Sequence, residues 1–126
     1  MVNLGSSTNI GTLAESDACQ FLEKQGLILL EKNYTAFNVD GKKVGEIDLI
    51  MRDGKYLVFI EVRNREQQQY GGGIASITRR KQQKIANTAL LYLQQKKLTQ
   101  QYCRFDVISI ESLNKIHWIK NAFTVQ

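Results

Sequence analysis

The chain has 126 residues, 43% hydrophobic and 23% charged, the composition of a folded domain and not of a disordered tail. Such a length makes one domain with its own core, and no apolar run reaches the ~20 residues of a membrane-spanning helix. Lys and Arg outnumber Asp and Glu by 17 to 12, a net charge of +5 that suits a polyanionic partner.

Residues 1–10 are small and polar and read as a flexible N-terminus ahead of a single domain over 11–126. This segment lacks the apolar core of a secretion signal, so a cytoplasmic protein is expected. Thr12-Leu-Ala-Glu15 has the form of a capping box, predicting a helix that starts there, buries Leu13, Ala14, Ala18, Phe21 and Leu22, and ends at Gly26. Leu27–Leu30 and Val44–Met51 read as strands. Arg52-Asp53-Gly54-Lys55 is a hairpin signal. Tyr56–Val62 (YLVFIEV) is apolar at nearly every position, as in a central strand covered on both faces. The run EQQQYGGG over 66–73 reads as a mobile loop. A second helix is predicted over Ser76–Lys97, with Ile77, Ile85, Ala89, Leu90 and Leu93 inward. Strands at Phe105–Ile110 and Ile116–Ile119 complete the order α-β-β-β-α-β-β, an α/β or α+β domain around one mixed sheet.

Two acids stand in strands otherwise suited to burial, Asp48 in GEIDLIM and Glu61 in LVFIEVR. A buried carboxylate needs a partner or a metal. A two-residue turn at Asp53-Gly54 sets Glu46 opposite Glu61, whereas a loop two residues longer sets Asp48 opposite Glu61. In either register strict alternation puts Glu46, Asp48, Glu61 and Arg63 on one face. Clustered carboxylates repel unless a cation intervenes, and hard oxygen ligands suit Mg²⁺ or Mn²⁺. A divalent ion in a basic protein points to phosphodiester chemistry, with Arg63 placed to steady developing charge. Asp48, then Glu61-Val62-Arg63, is the D…ExK layout of restriction-type nucleases with Arg for Lys. The bland alternative is a same-face Glu61–Arg63 ion pair, with Asp48 held by Lys43 or Arg63.

The segments AESDACQFLEKQG, GEIDLIM, LVFIEVRNR, GGGIASITRRKQQKI, CRFDVISI and HWIKNAF resemble, in order, the YraN-like family of small bacterial proteins. That family is similar to the restriction-endonuclease-like superfamily and, within it, to archaeal Holliday junction resolvases. The resemblance implies an αβββαβ core with a mixed central sheet flanked by helices and the site on the central hairpin. It implies a metal shell of Glu15, Asp48 and Glu61, and Arg63 where the catalytic lysine of active nucleases stands. Arginine stays charged and is a poor general base, which sets a nuclease beside a catalytically weak nucleic-acid-binding module as alternatives. Glu15 has a second reading as the last residue of the capping box.

Other candidates are weighed on their own chemistry. Arg79, Arg80, Lys81 and Lys84 make either a solvated helix face or a set of phosphate contacts, to DNA first of all. Asp106 is expected to pair with Arg104 or a lysine of the second helix. Cys19 and Cys103 form no CxxC pair and read as small core residues, and with the lone His117 they leave no ligand set for zinc. Trp118, Tyr70 and Tyr102 read as packing residues before base-stacking ones. A protein-interaction module with a structural ion-pair network is a third functional reading. A two-fold junction substrate would call for a homodimer.

Overall fold

The computed structural model describes residues 6–64, 77–112 and 114–124. Helix α1 (Ser6–Lys24) leads into strands β1 (Ile28–Phe37), β2 (Lys43–Asp53) and β3 (Tyr56–Asn64). Helix α2 (Arg79–Lys96) then precedes β4 (Tyr102–Ser112) and β5 (Lys115–Ile119). The strands form one five-stranded sheet in the order β1-β2-β3-β4-β5. Only the β3–β4 pair is parallel, because α2 carries the chain back across the sheet between them. This is the α/β fold with the αβββαβ order expected from the sequence, and β3 is its centre.

The period-two alternation of β3 divides the core into two layers. Val58 and Ile60 join Leu49, Met51, Ile108 and Ile110 against Ala14, Ala18 and Leu22 of α1. Leu57 and Phe59 join Ile47 and Ile50 against Ile85, Ala89 and Tyr92 of α2. The run YLVFIEV is apolar throughout because a helix covers each face. No helix among the described residues is long and apolar enough to cross a membrane.

Several boundaries differ from the expectation. Helix α1 begins at Ser6, so Thr12 and Glu15 lie inside it and make no capping box. Leu13 is exposed, as is Leu90 in α2. Helix α2 starts after Thr78, whose hydroxyl accepts from the Lys81 amide at 3.1 Å. Strand β1 runs seven residues past Leu30, and its faces are mostly open to solvent, which hides it from an apolar pattern. The 66–73 loop and Tyr70 lie outside the described residues.

One glycine determines how close α2 lies to the sheet. A Cβ at Gly45 would meet Thr88 Oγ1 at 2.5 Å and the Lys84 carbonyl oxygen at 3.4 Å. Thr88 is fully buried and its hydroxyl donates to that same carbonyl at 2.8 Å, so it cannot turn away without losing the bond. Gly45→Ala is therefore expected to destabilise the fold by about 1–3 kcal/mol, read from urea unfolding. Thr88→Ala in the same chain should recover part of the loss if the contact is the cause.

Candidate functional site

The hairpin joining β2 and β3 turns at Gly54-Lys55, with Asp53 paired to Tyr56 and Gly54 at φ +59°. The turn sits one residue later than the Asp53-Gly54 centre expected, and this sets the register. Its pairs run from Asp53↔Tyr56 to Leu49↔Ile60 and stop. Beyond that point β2 stays with β1, as in Tyr34↔Ile47 and Ala36↔Gly45. Strand β3 stays with β4, from Glu61↔Val107 to Asn64↔Ile110. The two central strands thus part at the next rung, where Asp48 and Glu61 stand. This is the second of the two registers the sequence allowed.

The parting leaves the Val62 amide without a ladder partner in β2, and Asp48 takes it: Val62 N donates to Asp48 Oδ2 at 2.7 Å. Ile47 and Ile50 both pack on the α2 side, so alternation in β2 breaks across Asp48. Glu61 continues the Leu57–Phe59 face of β3 toward α2 and is 8% exposed. Its Oε2 lies 3.4 Å from Arg63 Nη1 and 3.5 Å from Lys81 Nζ. These are long contacts, weaker than a well-formed bidentate pair.

Burial raises the pKa of Asp48, and the neighbouring Glu61 raises it further. The Val62 amide opposes this, Glu15 adds to it, and Lys81 lowers it, for a value of about 8. Asp48 keeps part of its surface open, so the pair is accessible from outside. Glu15, partly buried on α1 beside Ala14 and Ala18, is felt by Asp48 as a like charge. Glu46 does not join them: it is half exposed and ion-paired with Lys43. Lys43 is therefore engaged away from Asp48. No group of three or more His, Cys, Asp or Glu side chains among the described residues stands close enough to hold an ion together. The acidic site is the Asp48–Glu61 pair. That donor set fits Mg²⁺, which commonly takes one or two carboxylates and keeps several waters.

Arg79, Arg80, Lys81 and Lys84 are all exposed on the first turns of α2, and Lys81 brings this stretch to Glu61. No acidic residue occupies that first turn. Cations at the positive end of a helix oppose the dipole, so the arrangement favours an outside anion. Gly45, in the same GEID segment as Asp48, brings the backbone at Lys84 against β2. Its contribution was missed from sequence, although a glycine inside a strand is a signal of close approach.

The remaining candidates have structural places. Asp106 is fully buried and accepts from Arg104 Nε at 2.8 Å and Nη2 at 2.9 Å, from Trp118 Nε1 at 2.9 Å and from the Asn121 amide at 2.9 Å. Arg104 also reaches Asp53 at 2.9 Å, tying the hairpin to β4. Trp118 packs edge-on against Phe21, and Tyr102 is exposed beside Tyr56. His117 is more than half exposed, 4.0 Å from Glu111. Cys19 is in the core as expected, but Cys103 is exposed at the start of β4.

The raised pKa of Asp48 has a definite consequence for the metal-free protein. Between about pH 4 and pH 8 the folded state holds a proton that the unfolded state has lost, so stability falls as pH rises through this window. Asp48→Asn removes the penalty and keeps an acceptor for the Val62 amide. In chelator at pH 8 the variant should be more stable than the wild type by about 1–3 kcal/mol, with the difference vanishing near pH 4. Thermal melts across that range check it, and a variant less stable at pH 8 would contradict it.

Comparison with known proteins identifies the lineage. The family model described as "Uncharacterised protein family UPF0102" matches residues 14–110. A UPF0102 protein of Legionella pneumophila (strain Corby) is 48% identical over 115 residues, covering 90% of this chain and 92% of its own. One from Hahella chejuensis is 46% identical over 120 residues, covering 94% and 92%. One from Coxiella burnetii is 45% identical over 118 residues, covering 93% of each. The motifs around Asp48 and Glu61 lie within the matched segment, and the chain belongs to the uncharacterised family UPF0102, the YraN-like family that its sequence resembles.

Proposed function

We propose that this protein is a Mg²⁺- or Mn²⁺-dependent endonuclease acting on structured, branched DNA in the cytoplasm. The observation that carries the reading is the Asp48–Glu61 pair at the parting of β2 and β3, two partly dehydrated carboxyl groups beside a basic helix end. Asp48 and Glu61 would hold the ion, and Glu15 on α1 adds negative charge near them without completing a three-carboxylate shell. A bound ion supplies Lewis-acid polarisation of the phosphate and a more acidic water.

The chain's own residues do the rest. Arginine is a poor general base and a good planar donor, so Arg63 serves to orient a phosphate and offset developing charge and not to activate water. Lys81, which makes only a long contact to Glu61, is placed to pair with a substrate phosphate. Arg79, Arg80 and Lys84 bind the backbone further along, where contacts position the substrate without reading sequence. A four-way junction has two-fold symmetry, so paired cuts would require a homodimer.

Arginine at position 63 favours a second reading, a nucleic-acid-binding module on the same scaffold with little catalysis. Labelled duplex, flap and four-way DNA incubated with Mg²⁺ or Mn²⁺ separates the two. The nuclease reading expects cleavage of branched substrates that Asp48→Ala lowers by about a hundredfold or more. Salt-sensitive binding without cleavage supports the module. Cleavage unchanged in Asp48→Ala, or no binding at low salt, contradicts the nuclease reading.

A further inference from the structure

The sheet is interrupted on both sides of Asp48. Toward β3 the ladder stops after Leu49↔Ile60. Toward β1 it skips one rung: Lys32 pairs with Leu49 and Tyr34 with Ile47, while Asn33, which stands opposite Asp48, is left out. Directly opposed residues share a face of the sheet. Lys32 therefore lies on the α1 side with Leu49, and Tyr34 lies on the α2 side with Ile47. There the Tyr34 ring meets Tyr92 at 5.1 Å, and its hydroxyl donates to Gln95 Oε1 at 2.9 Å. Residues two apart in a regular strand point the same way. Lys32 and Tyr34 do not, and neither do Leu49 and Ile47. Both strands change phase at the same rung and keep their register on either side of it.

A strand changes phase without losing register when one residue leaves the extended conformation. In β1 that residue is Asn33, at φ +52°, the only non-glycine residue with positive φ inside a strand among the described residues. Asparagine is one of the few side chains that tolerate this region. The Asn33 side chain is exposed, so its backbone is what matters to the sheet. We infer that Asn33 is a positioning residue for Asp48, acting through its left-handed backbone. In a regular strand the Asp48 side chain would stand perpendicular to the sheet. The change of phase turns it into the gap between β2 and β3, where it accepts from the Val62 amide at 2.7 Å. Strand β2 keeps β1 on both sides of Asp48 because β1 slips with it. An extended residue at 33 would restore alternation in β1. Strand β2 would then follow, withdrawing Asp48 from Val62, or give up its pairing from Tyr34 onward. The inference rests on the phosphodiesterase reading above for what the placed carboxylate does, and not for how it is placed.

The test reads hydrogen exchange at the Val62 amide in Asn33→Val and Asn33→Gly, beside the Val58 amide in the unbroken part of the ladder. Valine resists the left-handed region and glycine accepts it. In Asn33→Val the Val62 amide is expected to exchange about tenfold faster relative to Val58, the scale of one hydrogen bond. In Asn33→Gly the ratio should match the wild type. Cleavage of labelled four-way DNA in Mg²⁺ should likewise fall about tenfold in Asn33→Val and be retained in Asn33→Gly. Asn33→Ala asks less of the backbone and supplies the same ratio if the valine variant does not fold. An unchanged ratio in the valine or alanine variant overturns the inference. So does an equal loss at both amides, which marks a residue that serves stability alone, or a loss in Asn33→Gly, which assigns the effect to the side chain. A wild type that cleaves no DNA overturns the functional reading by itself, because the exchange ratio still decides the inference.

Discussion

Two carboxylates held side by side where two central strands part is the constraint on which the site depends. In a continuous ladder the Val62 amide would bond to β2. Because β2 follows β1 and β3 follows β4 past Leu49 and Ile60, that amide is available, and Asp48 accepts from it. The bond holds Asp48 next to Glu61 in a partly dry setting, where burial and like charge both push its proton affinity up. The site is unfavourable as it stands and would be relieved by a cation. Such an arrangement is typical of functional sites, which keep strain that the rest of the fold tolerates.

Asp106 shows how the same chain buries an acid for structure. It is more deeply buried than Asp48, yet it receives two bonds from Arg104, one from Trp118 and one from the Asn121 amide. Each donor comes from the β4–β5 region that the acid helps to hold together. Nothing is left for a ligand. Asp48 has one backbone donor and a like-charged neighbour. Arg63 and Lys81 contact the neighbouring Glu61. The difference between the two acids lies in the donors around them, not in depth of burial.

Much of this was legible in the sequence. The apolar run of β3 announced a central strand, and Asp48 and Glu61 stood out because they interrupt apolar strands. The segments around them also carried the family likeness. What was not legible depended on the third dimension. The one-residue shift of the turn decided which acid faces which. The break in alternation between Ile47 and Ile50 separated Glu46 from the pair, and local attraction gave it to Lys43. The part of β1 beyond Leu30 escaped notice because an edge strand with open faces needs no apolar alternation.

The central claim is that Asp48 and Glu61 form a divalent-cation site. Calorimetric titration of Mg²⁺ and Mn²⁺ into the wild type, Asp48→Ala and Glu61→Ala tests it most directly, with and without DNA present. The account predicts binding to the wild type that either substitution abolishes, with protons released from the pair as the ion enters at neutral pH. Binding that survives both substitutions, or no binding in any condition, would contradict it.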